Sequence, residues 1–209
     1  MAQAKRKKKF FDVEIPIIKK ETNLIAYEPS ELEGRNIRYD LTRMLKGKNV
    51  ILSLVVEKSP ASEKQFVAVP RKIEMIHSTL ARMVRRGTDY IEDSFQINCK
   101  DATLTVKPFL ISRRKIHNSV KRALRQKAKE EIMAYFADKT ANELFEELIR
   151  NQLQKPLSLR LKKIYPLSAF EIRILKIEKM LEHSEKPKAS KKAKETKEES
   201  EEKTESKKE

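Results

Sequence analysis

Ile37, Tyr39 and Leu41 alternate with Asn36, Arg38 and Asp40. That period of two predicts a half-buried strand. After a turn signal at Lys46-Gly47-Lys48-Asn49, the run from Val50 to Val56 predicts a central, buried strand. Upstream, residues 13–18 and 24–27 are β-prone but broken by Pro16, which predicts an edge or bulged strand. Residues 66–69 predict a further short strand. The period then lengthens. Ile73, Ile76, Leu80, Met83 and Val84 fall on one face of a helix, with Pro70 before it and Gly87 after it as a left-handed cap. Phe95, Ile97 and Cys99, then Leu104 and Val106, alternate again around Lys100-Asp101-Ala102, the pattern of a β-hairpin.

The last third reads mainly as helix. Ile116, Val120, Ala123, Leu124 and Tyr135 share one side of a long helix, and Lys121, Arg125 and Lys129 form a ladder on the other. Thr140 and Glu143 have the spacing of a capping box, opening a helix through Leu144, Phe145 and Leu148. Pro156 separates it from a short helix over residues 157–164, which Pro166 ends. Residues 170–177 return as a strand with Ile172 and Ile174 on one side. No internal repeat is present.

Charge changes the picture. The 209 residues carry a formal net charge of +16. Residues 184–209 hold nine Lys and eight Glu and nothing larger than Ala that could enter a core, so this tail is expected to be disordered. Residues 1–183 keep 38 basic against 23 acidic side chains, a net +15, so the basicity belongs to the folding part. The expected organisation is a basic N-terminal arm over 1–9, a single α+β domain over 10–183 and the charged tail over 184–209. One cysteine rules out an internal disulfide framework. No apolar run approaches the roughly 20 residues of a bilayer span, and no secretory signal core follows the basic start, so a soluble intracellular chain is expected. Three glycines (Gly34, Gly47, Gly87) exclude a glycine-rich phosphate loop.

Catalysis finds no support. His77, His117 and His183 lack partners at metal-ligand spacing. Cys99 continues an apolar alternation and reads as a buried, inert thiol. The expectation is no enzyme, no metal and no cofactor. The basic residues are more informative where they are dense and one-signed. Residues 113–129 hold eight basic side chains and no acid. From that segment Arg113, Arg114, Lys115, Lys121, Arg122 and Arg125 are candidate phosphate contacts. Lys5, Arg6, Lys7, Lys8 and Lys9 form a second cluster, Arg82, Arg85 and Arg86 a third, and Lys162 and Lys163 a fourth. So large a surplus carries self-repulsion that a polyanion relieves, and RNA or DNA releases counterions for each phosphate met. The rival for residues 113–129 is a calmodulin-type or membrane-surface helix, weakened by a narrow apolar face. With no RNP-type aromatic pair and no zinc-finger or GXXG motif, the pattern favours recognition of backbone and shape over base edges.

Several segments resemble one family in consistent order. They are Met83-Val-Arg-Arg-Gly-Thr-Asp-Tyr-Ile91, then Leu104-Thr-Val-Lys-Pro-Phe-Leu-Ile-Ser-Arg-Arg114, then Ile164-Tyr-Pro-Leu167 with Glu171-Ile-Arg173. The opening Lys9-Phe-Phe-Asp-Val13 and the pair Gly34-Arg35 add to these. Over about residues 10–181 the chain is similar to the archaeal and eukaryotic small-subunit ribosomal proteins of the S3Ae (S1e) family. The resemblance implies a mixed fold of the α+β class, an antiparallel, barrel-like sheet with packed helices. It also implies a non-catalytic cytoplasmic ribosomal component at the platform, near the mRNA exit. The implied partners are small-subunit rRNA and neighbouring small-subunit proteins, with mRNA nearby and no membrane. The alternative is a non-ribosomal RNA or DNA chaperone or architectural nucleic-acid binder.

Overall fold

The computed structural model describes residues 7–45, 47–58 and 66–180. Strands β1 (Lys9–Ile15) and β2 (Lys20–Ala26) form an antiparallel hairpin in which Ile15 pairs with Lys20. Pro16 lies in the connecting turn, where its missing N–H removes no ladder bond, so it separates two strands rather than bulging one. Strands β3 (Asn36–Asp40) and β4 (Val50–Lys58) form where they are expected and pair antiparallel.

The next element departs from expectation. Strand β5 runs from Phe66 to Met75, and helix α1 is only His77–Met83. Residues 70–75 therefore belong to the sheet, not to the helix. Leu54 pairs with Pro70 but Ser53 pairs with Lys72, so one extra residue is inserted beside the proline. A bulge tolerates proline and shifts the side-chain phase by one. Phe66, Ala68 and Pro70 point inward before it, and Ile73 and Met75 after it. The resulting gap of three between Pro70 and Ile73 imitates a helical period.

Strands β6 (Tyr90–Glu92) and β7 (Phe95–Asn98) both pair with β8 (Ala102–Ser112), which confirms the hairpin at Lys100-Asp101. Helices α2 (Asn118–Ala137), α3 (Ala141–Ile149) and α4 (Gln154–Leu161) follow, then β9 (Leu167–Met180). The capping box is present: Thr140 N–H donates to Glu143 Oε2 at 3.1 Å, and Glu143 N–H to Thr140 Oγ1 at 3.5 Å. Pro156 sits inside the first turn of α4, where helical N–H groups are unpaired in any case, so it does not divide two helices. The buried face of α2 is Leu124, Ala128, Ile132 and Phe136, one residue per turn; Ala123 is exposed. In β9 a second bulge at Arg173 turns Leu175 and Ile177 inward and leaves Ile174 half-buried, apart from Ile172.

The sheet order is β2-β1-β5-β9-β8-β6, with β4 and then β3 on the other edge of β5, and β7 beside β6 on β8. The α+β class holds, but the antiparallel, barrel-like sheet does not. The sheet is mixed, because β1 meets β5 parallel at Val13–Phe66 and Glu14–Val67. It is also open, because β2 and β6 at its ends do not pair among the described residues. The physical cause lies in β5. With β4 along one edge, its other edge is divided between β1 near its start and β9 near its end. The sheet branches there instead of wrapping. Helices α2, α3 and α4 pack on β6–β7, on β5 and β9, and on β9 respectively, and one continuous apolar core lies between them and the strands.

Gly87 has φ +84°, but it is not the cap of α1, which ends four residues earlier. It occupies the third position of the turn 85–88, where Thr88 N–H donates to the Arg85 carbonyl at 3.2 Å. An added Cβ there meets nothing within 4 Å, so the cost of alanine is purely backbone strain. G87A is expected to lose about 1–2 kcal/mol, or about 2–8 °C in Tm for a chain of this size. An unchanged melting curve would show that the turn is not held in this form.

Candidate nucleic-acid interface

Strand β8 ends at Ser112 and α2 begins at Asn118, and the bend between them carries Arg113, Arg114 and Lys115, all exposed. A bend with three adjacent cations needs bracing, and Asp89 supplies it. Its Oδ2 accepts from the Ile116 N–H at 2.9 Å and pairs with Lys121 Nζ at 3.0 Å. Its backbone is tied to the buried Ser112 in both directions: Ser112 N–H donates to the Asp89 carbonyl at 2.9 Å, and Asp89 N–H donates to Ser112 Oγ at 3.0 Å. The Ile116 amide, with Lys121, holds the Asp89 carboxyl below the usual carboxylate range. That bracing is complete at neutral pH and is lost as pH falls through the lowered pKa.

Asp89 follows directly on the turn 85–88. The turn carries Arg85 and Arg86, both exposed, and is closed by Thr88 Oγ1 donating to the Arg85 carbonyl at 2.7 Å. The structure thus joins two clusters that lie far apart in sequence. Arg82, exposed in the last turn of α1, reaches back to Thr79 Oγ1 at 3.3 Å. Lys162 and Lys163 follow α4, exposed, and belong to the same end of the sheet: Arg113 N–H donates to the Pro166 carbonyl at 3.3 Å, and Ser112 pairs with Leu167. Arg160 anchors α4 to α2 through Glu131 at 2.6 Å, and it holds the Glu131 carboxyl below its ordinary range.

On α2, Arg122 and Arg125 are exposed, whereas Lys121 is half-buried and committed to Asp89. The one-signed stretch stops at Lys129; Lys127 already pairs with Glu130 and Glu131 at 3.3 and 3.5 Å. The first turn of α2 holds no acid, and His117 gives no side-chain cap. The acid at this helix start is Asp89, supplied from outside the helix, through the Ile116 N–H and Lys121.

The N-terminal cluster lies elsewhere. Lys5 and Arg6 are outside the described residues. Lys7, Lys8 and Lys9 are exposed at the start of β1. Strands β1, β5 and β8 run in the same direction, so the start of β1 and the end of β8 are at opposite ends of the sheet. His77 and His117 are exposed, and His183 is outside the described residues. Cys99 is buried, and burial, with Asp101 nearby, pushes its thiol up to about 11, the state of an inert side chain.

Sequence reading missed Asp89 and Ser112. The one available signal was an acid placed directly after Arg-Arg-Gly-Thr. It also missed the ion pair of Lys48 with the buried Glu171, in which Lys48 further donates to Asn151 Oδ1 at 3.2 Å. That pair ties the β3–β4 turn and the α3–α4 link to β9, and a lone acid in an apolar strand was its only trace.

The bend thus presents a one-signed array, Arg113, Arg114 and Lys115, on braced backbone. Among the described residues, no group of His, Cys, Asp and Glu is arranged to hold a metal ion. Comparison with known proteins carries this further. Residues 2–180 match the Ribosomal S3Ae family, and the chain belongs to that family. It is similar to the small ribosomal subunit protein eS1 of Nanoarchaeum equitans, 29% identical over 192 residues, covering 85% of this chain and 92% of the relative. It is similar also to the protein of that name from Saccharolobus islandicus, 27% identical, covering 86% and 88%. The Halorubrum lacusprofundi protein is 26% identical, covering 74% and 73%. A ribosomal structural protein, not an enzyme, follows from family membership. No helix among the described residues is long and apolar enough to cross a membrane.

Proposed function

We propose that this chain is a structural constituent of the small ribosomal subunit. Arg113, Arg114, Lys115, Arg122 and Arg125 lie along the rRNA backbone, with Arg82, Arg85, Arg86, Lys162 and Lys163 extending the same contact. The observation that carries this reading is the bend 113–117, where exposed cations sit on backbone held by Asp89 and Ser112. Guanidinium forks clasp phosphate oxygens in pairs, and a pre-set bend spares the ordering entropy that a free loop would lose. Lys121 acts from behind, as a strut on Asp89. Lys7, Lys8 and Lys9, at the far end of the sheet, make a separate contact, to which Lys5 and Arg6 add charge. Residues 10–183 act as one domain, which the single continuous core supports. The cytoplasmic ribosome, the platform near the mRNA exit and neighbouring small-subunit proteins complete the reading, on the strength of the family.

Sedimentation of the tagged chain from lysate through a sucrose gradient at high salt tests it. Co-migration with the small subunit and with translating ribosomes that survives the salt is expected. Release as salt rises would favour the other reading, a loosely bound nucleic-acid chaperone held by charge alone.

A further inference from the structure

Tyr90 is the first residue of β6, at the edge of the sheet, and 54% of its surface is exposed. Its ring is nevertheless fixed. It stacks on the buried Phe109 with centroids 5.7 Å apart and planes 27° from parallel. Its backbone pairs with Ile111, two residues before Arg113. Asp89, which braces the cationic bend, is its immediate neighbour in sequence. Tyr90 thus follows the Arg85-Arg86 turn in the chain and lies one strand from the start of the Arg113-Arg114-Lys115 bend, with its ring stacked on Phe109 and about half of its surface exposed.

Two of the three nearby acids are paired with cations, and the third, Asp93, accepts from the Ser94 N–H at 2.9 Å. Asp89 is engaged by Ile116 and Lys121, and Glu92, two residues on, is paired with Arg173 at 3.1 Å. An exposed aromatic ring stacked at a sheet edge, with arginines on the turn before it and on the bend after its partner strand, suits a nucleotide: the base stacks while its phosphates meet the arginines.

We propose that Tyr90 is a stacking site for an unpaired RNA base, set inside the basic cluster, so that this end of the molecule takes up a non-duplex nucleotide as well as phosphate backbone. The inference rests on the reading of the cluster as an RNA contact. It adds to backbone recognition a contact that salt does not screen. Neither charge nor periodicity marks Tyr90 in the sequence, because its role depends on Phe109 lying beneath it.

The test uses the full chain and a 12-nucleotide single-stranded RNA with 2-aminopurine at its centre. Stacking on the ring quenches the 2-aminopurine. Y90A is expected to weaken binding about 5- to 150-fold and to abolish the quench, with the salt slope unchanged. Y90F is expected to retain both affinity and quench. Y90L covers Phe109 with apolar surface but offers no π face, and is expected to behave as Y90A; circular dichroism confirms that each variant is folded. Wild-type affinity and quench in Y90A would overturn the proposal, as would full retention in Y90L, which would make the position a plain apolar contact or a protein-facing surface. Failure of the wild type itself to bind the RNA would instead remove the nucleic-acid reading of the whole cluster, and this inference with it.

Discussion

Replacing Arg113, Arg114, Lys115 and Arg125 together by alanine flattens the salt dependence of RNA binding and leaves the thermal transition in place. Each phosphate neutralised contributes about 0.7 to the slope of log K against log salt on single strands and about 0.9 on duplex. With four cations removed, that slope falls by about 3. Between 50 and 200 mM salt, the wild type then loses about 50- to 150-fold more affinity than the variant. Folding is untouched because all four side chains are exposed and none forms an ion pair among the described residues. Their removal also relieves like-charge crowding at the start of α2. Filter binding or fluorescence anisotropy at four salt concentrations reads the result. Equal slopes in the two proteins would take the bend out of the interface. Replacing the three arginines by lysine separates charge from shape. The slope is kept, but binding weakens because an ammonium cannot clasp two phosphate oxygens.

The largest loss of stability is expected from F136A. Phe136 is fully buried and ends the inward row of α2. Truncating a buried phenylalanine removes its transfer energy and leaves a cavity, about 3–5 kcal/mol in all. For a chain of this size that corresponds to a fall in Tm of about 6–20 °C. Relaxation cannot recover much of this, because the helix is fixed at both ends. Asp89 holds its start through Lys121, and at its finish Lys139 binds both Tyr135 Oη, at 2.8 Å, and Glu147. The salt slope of RNA binding is unaffected at temperatures where F136A remains folded, which distinguishes it from the arginine variants. A melting point within about 2 °C of wild type would mean that α2 does not pack as described.

What could be read from the sequence divides along physical lines. β3 and the β7–β8 hairpin were legible because their alternation is uninterrupted, and β4 because its apolar run is continuous after a turn signal. The Thr140–Glu143 cap was legible because its donors and acceptors lie within one turn. Residues 70–75 and Ile174 were misread for a shared reason: a bulge advances the side-chain phase by one, and nothing local announces it. Ala123 was placed on the apolar face of α2 although Ala128 and Ile132 occupy it, since alanine fits either environment. The density of charge over 113–129 was visible. Its union with Arg85 and Arg86, and its distance from Lys9, were not, because both depend on strand order. Asp89 and Glu171 act through partners more than 20 residues away, beyond any window that periodicity can scan.

The place of β9 in the sheet governs how the molecule comes into being. It lies between β5 and β8, pairing with both, and among the described residues nothing else joins those two strands. Yet every other strand and helix precedes it in the chain. While the polypeptide is being synthesised, the stretch Lys72–Glu74 on one edge of β5 and a whole edge of β8 stand open, two templates for pairing with the wrong neighbour. The β1–β2 hairpin and the β3–β4–β5 strands pair locally as they emerge, but their union with β8 waits for β9. A stop or frameshift within residues 167–180 is therefore expected to leave two half-sheets unjoined instead of a slightly shortened protein.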